Sequence, residues 1–455
     1  METYNLTDYT LPAHNYDIIL KNGRVIDPAS GLDDIMDVAI SDGRIAAVEK
    51  QLAGPCFNII DCTGRIVTPG FVDAHNHCYP ATNMSLHPDT GGIYNGVPTV
   101  VDGGSAGYMT FPDFYNRYIT RAATDVYAFL HFHPVGQYAH GFGSKVHPEV
   151  WDPALFKMLN YRVEETVDQY RDRILGLKNR GIETFIEHKG VVGLEEQLRL
   201  ADKCGLPYSI HLGEAHGEHL SDEVIDNFTR AVLERLRPGD IIDHAFTDKR
   251  GRLFREDGKH DRLIQKAVER GVLLDACVGK TNLSCASFKL ALERGFKPDI
   301  ISSDFTYVSL KSVNRHFGLN LSRFLALGLS LTEVLTMATI NPARHLKLDD
   351  RKGRLEAGRP ADLSVLDVLK GDYTFLDYEQ GTPFKGSEIL SAYVTVGRAG
   401  FTTSSKTATR RLEPGSPGSR TAGGAMTPQG DEIDLKDLSY LAALFGVAKY
   451  IRVVL

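Results

Sequence analysis

The sequence predicts an α/β fold, a (β/α)8 TIM barrel with a small β-sandwich module built from N- and C-terminal segments. Three observations lead to this prediction. Over residues 71–346, short β-branched runs alternate with longer helical patterns, whereas residues 16–70 hold only short strand-like runs. Strand-like runs return over residues 347–402. A chain of 455 residues is long enough for one barrel-sized domain and one smaller module.

The N-terminal segment, residues 16–70, reads as a series of short strands: YDIILKNGRVID, DVAISDGRIAAVE and NIIDCTGRIVTPG. Asn22-Gly23 and Asp42-Gly43 are the dipeptides that favour two-residue hairpin turns. We therefore expect two hairpins here.

The central segment, residues 71–346, contains the strand-like runs GLPYSIHLGE, GDIIDHAFT, GVLLDACVG and PDIISSDFT. Helical patterns such as residues 194–203 and 262–270 lie between them. Repeated strand-helix units without long hairpins indicate a parallel sheet, and their number favours a barrel over an open sheet.

The C-terminal part begins with GRLEAGRPADLSVLDV and EILSAYVTVGRAG, which we expect to rejoin the N-terminal strands in a composite β domain of residues 16–70 and 347–402. Residues 403–455 are predicted to form a linker and a C-terminal helix. Residues 412–430 are rich in Gly, Pro, Ser and Thr, and leucines then recur at helical spacing, at Leu435, Leu438, Leu441 and Leu444. Such a helix would dock on its own or a neighbouring subunit, and we expect a homo-oligomer.

Composition narrows the function classes. Hydrophobic residues make up 42% and charged residues 24% of the chain, without an apolar run approaching the roughly 20 residues that span a bilayer. The net charge of -7 and the absence of a dense Lys/Arg cluster argue against nucleic acid or membrane partners, which leaves a small-molecule substrate. The acidic, polar N-terminus and the scattered cysteines predict a cytoplasmic protein with reduced thiols.

The most informative motif is Asp73-Ala74-His75-Asn76-His77, which follows the strand-like run GRIVTPGFV. Residues i and i+2 of a strand share one face, so His75 and His77 can reach one metal ion together. Imidazole is a favoured ligand of zinc and similar ions. A lone HxH pair is weak evidence, however, because such pairs are often structural.

Four further polar residues each follow a β-like run: Lys178 ends RILGLKN, His211 ends LPYSIHLG, His244 ends DIIDHAF, and Asp304 ends DIISSDF. The carboxyl ends of parallel barrel strands face the same mouth, so residues distant in sequence converge there. Any one of them could be a buried structural polar group. All six together predict a metal site.

The order HxH, Lys, His, His, Asp on successive strands resembles the amidohydrolase superfamily. The resemblance covers residues 16–400, and two flanking segments strengthen it: IVTPGFVDAHNH entering the first strand, and NPARHLKL followed by GRLEAGRPADLSVLD leaving the last helix. LGLKNR, GLPYSIHLGE and RPGDIIDHAF look most like its dihydroorotase-like deacetylase group. That resemblance implies hydrolysis of an amide, ester or urea-type carbonyl in a small molecule.

The resemblance also implies the roles of the six residues. Lys178 would be carboxylated by carbon dioxide, and its carbamate would bridge two divalent metal ions, expected to be Zn. His75 and His77 would hold the more buried ion, and His211 and His244 the more exposed one. Asp304 would ligate the buried ion and act as general base and then general acid for the attacking water.

The assignment of the bridge has an alternative. Glu183 and Lys189 lie nearby in GIETFIEHKG, and some members of the superfamily use a glutamate bridge. Lys178 is preferred because it ends an apolar run and is followed by Gly181, as expected at the start of a loop. Glu183 is the second choice.

Other polar residues carry open interpretations. His131 and His133 form a second HxH at a strand end and would either line the substrate pocket or be structural. Glu214 would either support His211 or be solvated. Cys78, beside the first HxH, is disfavoured as a nucleophile because a thiol needs an activating base and none is in view.

The chain also departs from the family where the pocket is shaped. DACVG stands where some relatives have a histidine and glycine pair, and Phe305-Thr306-Tyr307 follows Asp304. These aromatic residues indicate either an apolar group on the substrate or simple surface packing.

Two competing functions remain at this stage. A deaminase of the same fold would use one metal and lack the bridging lysine, so Lys178 argues against it. A non-catalytic scaffold that kept the fold would not be expected to retain all six polar residues.

Overall fold

A computed structural model describes residues 15–82, 84–137, 162–213, 219–310, 314–378 and 381–397, and the backbone of 400–403. The predicted C-terminal linker and helix beyond residue 403, together with Glu214, lie outside the described residues. Within those ranges no helix is both long enough and apolar enough to cross a membrane. All six cysteines are described, and each is an unpaired thiol.

Fifteen strands are found in the described ranges, and they form two sheets. In chain order they are β1 Tyr16–Asp27, β2 Leu32–Ser41, β3 Arg44–Glu49, β4 Cys56–Asp61, β5 Ile66–Pro69, β6 Val72–Asn76, β7 Thr99–Asp102, β8 Asp125–His131, β9 Ile174–Arg180, β10 Tyr208–His211, β11 Ile241–Asp243, β12 Leu273–Leu274, β13 Leu363–Leu376, β14 Pro383–Gly397 and β15 Gly400–Thr403.

The first sheet is mixed and joins strands from both ends of the chain in the order β15-β14-β13-β5-β1-β2-β3, with β4 also paired to β1. β5 is the link, because it runs parallel to β1 and antiparallel to β13, where Val67 faces Val365. The C-terminal strands thus hydrogen bond to the N-terminal ones. A separate apolar cluster that includes Val25, Val38 and Val394 packs within this sheet.

The two predicted hairpin turns have different outcomes. Asp42 and Gly43 both have positive φ, 51° and 67°, and connect β2 to β3 as the predicted tight turn. The prediction for Asn22-Gly23 is wrong, because β1 continues through it and pairs with β2 on both sides of a β-bulge. A Cβ on Gly23 would lie 2.5 Å from Cγ2 of Val67, so glycine allows the close approach of β5 there.

The second sheet contains β6 to β12 in sequence order, and every neighbouring pair is parallel. Residues 300–305 make isolated parallel bridges at both of its edges, Ile300 to Asp275 beyond β12 and Phe305 to Asn76 of β6. The sheet is therefore curled, and its two edges approach the same segment. All strands point their carboxyl ends the same way, as the alternation of strands and helices predicts.

Helices connect the strands of the parallel sheet. They are α1 Pro88–Gly91, α2 Phe111–Phe114, α3 Glu183–His188, α4 Gly190–Cys204, α5 Asp222–Arg235, α6 Asp261–Glu269, α7 Cys285–Glu293, α8 Tyr307–Leu310, α9 Phe317–Ala326, α10 Leu331–Ala338 and α11 Ile340–His345, with a 3-10 turn at Ile93–Asn95, a π turn at Tyr115–Ile119 and helical residues over 162–169. Their apolar faces pack with the strands in one large core cluster.

A buried ionic cluster ties the two sheets together. The amine of Lys352 lies 3.0 Å from Oδ2 of Asp125, at the start of β8, and also contacts Asp362, just before β13. Arg173 donates to the other oxygen of Asp125 at 2.8 Å, and Thr99 donates to Asp362 at 3.1 Å. This pairing compensates carboxylates that burial would otherwise destabilise.

Candidate metal centre

A cavity of about 250 Å³ lies at the carboxyl ends of the parallel strands. It is where residues following different strands are expected to converge. All six residues singled out in the sequence line this cavity: His75, His77, Lys178, His211, His244 and Asp304.

His75, His77 and Asp304 form one group of potential metal ligands. Nε2 of His77 lies 3.1 Å and Nε2 of His75 lies 3.9 Å from Oδ1 of Asp304. One ligand atom from each of the three residues lies within 4.8 Å of the others. Nδ1 of His77 is 2.9 Å from the hydroxyl of Ser105, which orients the ring and leaves Nε2 toward the group. Two imidazoles and one carboxylate fit a zinc-like cation.

The backbone holds Asp304 in a costly conformation. Its φ is +49°, in the left-handed region that non-glycine residues rarely adopt, and its N–H donates to the carbonyl of His75 at 2.7 Å. Burial would raise the pKa of Asp304, but hydrogen bonding to His77 and the nearby imidazoles lower it below its usual range. The carboxyl is therefore ionised at neutral pH, as a ligand or a base requires.

His211 and His244 form a second pair, with ring centroids 4.3 Å apart. Nδ1 of His244 lies 2.9 Å from the carbonyl of Cys277, so it carries the proton and Nε2 has the lone pair of a ligand. His244 also has a positive φ, of 57°. Burial lowers the pKa of His244 to about 4 and that of His211 well below its usual value, so both rings are neutral near pH 7, the form that binds metals.

Asp243 is the main residue that sequence reasoning missed. Its carboxylate contacts the amine of Lys178, accepts from the hydroxyl of Ser209 at 2.6 Å and lies 3.3 Å from Nδ1 of His75. It thus orients two of the candidate metal residues at once. The available signal was its position directly before His244 at the end of DIIDH, where a second polar residue interrupts an apolar run.

A further pair of buried carboxylates supports the same strand ends. Asp73 accepts from the backbone N–H of Ser303 at 2.9 Å and from Asn76 at 2.9 Å, which braces β6 against residues 300–305. Burial raises the pKa of Asp73 to about 6. Asp275 accepts from Ser302 at 2.6 Å, and burial raises its pKa well above the usual value.

The alternative bridge lies elsewhere. Glu183 begins α3 and accepts from the backbone N–H of Leu220 at 2.5 Å, and it is not among the cavity-lining residues. Cys78 is fully buried, burial raises the pKa of its thiol, and it too is absent from the lining. Neither residue is therefore placed to act on a ligand in the cavity.

The residues after Asp304 divide between core and rim. Phe305 is fully buried in the large core cluster, whereas Tyr307 is 51% exposed. The cavity is lined by Val308 and Met84 rather than by these two aromatic residues. The backbone N–H of Tyr307 donates to the carbonyl of Met84 at 2.7 Å. The cavity thus has an apolar side, contributed by residues that the sequence did not single out.

Known proteins match this chain along most of its length. Residues 66–400 match the model of the amidohydrolase family. A deacetylase of Agrobacterium fabrum is 31% identical over 339 residues, which cover 74% of this chain and 79% of the deacetylase. A crystal structure of a dihydroorotase is 28% identical with a TM-score of 0.75, covering 85% of this chain and 98% of that one. A crystal structure of an adenine deaminase, 24% identical with a TM-score of 0.70, covers 84% and 98% and shows likeness of fold.

These matches confirm the resemblance on which the residue assignments depend. They imply the TIM-barrel fold of the family, and the ligand groups in the cavity fit its use of divalent metal ions. The chain therefore belongs to the amidohydrolase family and is a metal-dependent hydrolase of C–N bonds.

Proposed function

We propose that the protein is a binuclear metallohydrolase that cleaves an amide, ester or urea-type carbonyl bond in a small molecule. The observation that carries the proposal is the convergence of His75, His77, Lys178, His211, His244 and Asp304 on one cavity. We also propose that residues 300–305 act as the eighth strand of a closed (β/α)8 barrel, because they bridge both edges of the parallel sheet.

The two proposed ions would be held by different residues. His75, His77 and Asp304 would hold the more buried ion, because their ligand atoms lie within 4.8 Å of one another. The neutral rings of His211 and His244 would hold the other. Two divalent cations, expected to be Zn, would lower the pKa of water and polarise the substrate carbonyl. The chain supplies the donor set that this chemistry needs.

Asp304 would move the proton. Its carboxylate is ionised, lines the cavity and lies 3.1 Å from Nε2 of His77, so it can accept a proton from the attacking water and return it to the leaving group. Asn282 donates to Oδ2 of Asp304 at 3.4 Å, and a Cβ on Gly279 would lie 2.5 Å from the same oxygen. These neighbours restrict the carboxylate to one orientation.

Lys178 would bridge the two ions as a carbamate. Its amine contacts Asp243 and lies 3.3 Å from the hydroxyl of Ser209. A carbamate would be anionic and would face the carboxylate of Asp243, so it becomes favourable only beside cations. We therefore propose that carboxylation of Lys178 and metal binding are coupled.

The substrate would be small and carry an acyl group. The relatives include a deacetylase and a dihydroorotase. Arg180 and Lys280 line the cavity together with Met84 and Val308, so its wall offers positive charge and apolar surface. The first substrate screen should therefore include compounds that carry both a carboxylate and an apolar group. A cytoplasmic homo-oligomer without nucleic acid or membrane partners remains our expectation.

The test combines metal analysis with a substrate screen. Elemental analysis of the purified enzyme is expected to find about two divalent ions per chain. Hydrolysis assays then identify the type of bond that is cleaved. The compounds to assay are N-acyl amino acids, acyl hydroxy acids, cyclic imides and aryl ureas. An active preparation without metal would overturn the mechanism. Ammonia release from an aminopurine, with no cleavage of the acyl compounds, would favour the deaminase instead.

A further inference from the structure

The second HxH motif, His131-Phe132-His133, begins at the last residue of β8. Its two histidines make the same type of hydrogen bond to the backbone but differ in their position relative to the cavity. Nδ1 of His131 accepts a hydrogen bond from the backbone N–H of His133 at 2.9 Å. Nδ1 of His133 accepts one from the backbone N–H of Val135 at 3.3 Å. Both rings are buried. Only His131 is among the residues that line the cavity.

The bond to Nδ1 decides the tautomer of His131. A ring nitrogen that accepts a hydrogen bond uses its lone pair to do so and carries no proton, so in the neutral ring the proton is on Nε2. A protonated nitrogen cannot be a metal ligand. With Nδ1 engaged in the turn, Nε2 of the neutral ring can act as a hydrogen-bond donor but not as a seventh ligand.

The neighbours of His131 place its side chain beside that of Lys178. His131 pairs with Lys178 across the parallel strands β8 and β9. A Cβ on Gly104 would lie 2.6 Å from Cγ of Lys178 and 3.3 Å from Cδ2 of His131, so only glycine leaves room for the two side chains there. Gly104 also has φ of +93°, which favours glycine independently.

We propose that His131 contacts the substrate, donating its Nε2–H to an oxygen acceptor of the acyl compound. This inference rests on the proposed hydrolytic function. His131 is thereby a specificity-determining residue, and His133, with the same type of turn bond but outside the cavity lining, has a structural role only.

Two substitutions separate the donor role from the turn role. In His131→Asn, the short side-chain oxygen can still accept the N–H of His133, but no donor reaches the position of Nε2. In His131→Gln, the longer amide brings an N–H near that position and fits the turn less well. A substrate donor predicts that the Asn variant loses more activity than the Gln variant, and a purely structural role predicts the reverse.

The kinetic measurement uses the N-acyl amino acid that the wild-type enzyme cleaves best. Loss of one buried hydrogen bond lowers kcat/KM by about tenfold or more in His131→Asn. His131→Gln is expected to recover part of that loss, with metal content unchanged in both. His133→Asn and His133→Gln are the matched controls and should keep wild-type KM. Wild-type kcat/KM in His131→Asn would overturn the proposal.

A second readout does not need turnover. With nitrogen-15 in the histidine rings, the Nε2 of His131 should give the signal of a protonated nitrogen, assigned by its loss in His131→Gln. Titration with the same N-acyl amino acid, or with N-acetylphenylalanine if no compound is cleaved, should shift this signal and leave that of His133 in place. A ring protonated on Nδ1, or no shift at saturation, overturns the inference. Failure to find any hydrolysis would instead count against the proposed function.

Discussion

The side-chain amine of Lys178 contacts the carboxylate of Asp243, the residue directly before His244. The same carboxylate lies 3.3 Å from Nδ1 of His75 and accepts from Ser209 at 2.6 Å. One buried aspartate therefore joins three strands of the parallel sheet, β9, β10 and β11, to a histidine of β6. We therefore expect the geometry of the proposed metal centre to depend on this residue as well as on the ligands themselves.

Asp243→Asn is expected to lower metal affinity or activity by about 10- to 100-fold, because a residue that orients ligands has effects of this size. The amide keeps the shape but loses the charge that faces Lys178. Metal content by elemental analysis and kcat/KM at saturating metal are the measurements. Asp222→Asn, an exposed carboxylate paired with Arg250, is the control and should behave as wild type. Full activity and metal content in Asp243→Asn would contradict the role.

Lys178→Ala is expected to abolish activity while the fold persists, because the proposed bridge needs the two oxygens of a carbamate. Short carboxylates such as acetate or propionate are expected to restore part of the activity by supplying those oxygens. Circular dichroism checks the fold, and hydrolysis with and without added carboxylate checks the rescue. The bridge is misassigned if Lys178→Ala stays active and Glu183→Ala is inactive.

Asp304→Asn is expected to lower kcat by about a hundredfold or more and to change KM little, because general base catalysis acts in the transition state. The amide keeps one possible ligand oxygen but cannot accept a proton. Steady-state kinetics at saturating metal separate the two constants. A change confined to KM would show that Asp304 binds substrate and that another group takes the proton.

Lys352→Met is expected to destabilise the protein by about 3–5 kcal/mol, because it leaves two buried carboxylates without their shared cation. Lys352 lies against Asp125 and Asp362 at the junction of the two sheets. The free energy of unfolding, from urea titration with Lys385→Met as an exposed control, measures the effect. Equal stability of the two variants would contradict it.

The same cluster predicts a loss of stability in acid. Burial would raise the pKa of Asp125, but Lys352 and Arg173 lower it to about 2. A carboxyl with a depressed folded-state pKa stabilises the fold above its unfolded value of about 3.9, and this contribution is lost as pH falls toward 2. In Lys352→Met part of that pH dependence should disappear, which unfolding measurements between neutral pH and pH 2 would reveal.

The broad fold and the six candidate ligands could be predicted from the sequence, because both follow from local patterns. Alternating strands and helices indicate a parallel sheet, and polar residues that end apolar runs indicate its carboxyl edge. The turn at Asp42-Gly43 was predictable for the same reason, since its backbone conformation depends on two adjacent residues.

The contacts between distant strands became known from the three-dimensional structure. Asn22-Gly23 has the composition of a turn, but pairing with β2 and the close approach of Val67 make it a bulge. The contacts of Asp243 with Lys178 and His75 set it apart from other strand-end carboxylates, and His131 lines the cavity whereas His133 is not among its lining residues. Which side chains meet is set by strand register and packing over the whole sheet, and a single sequence does not encode these locally.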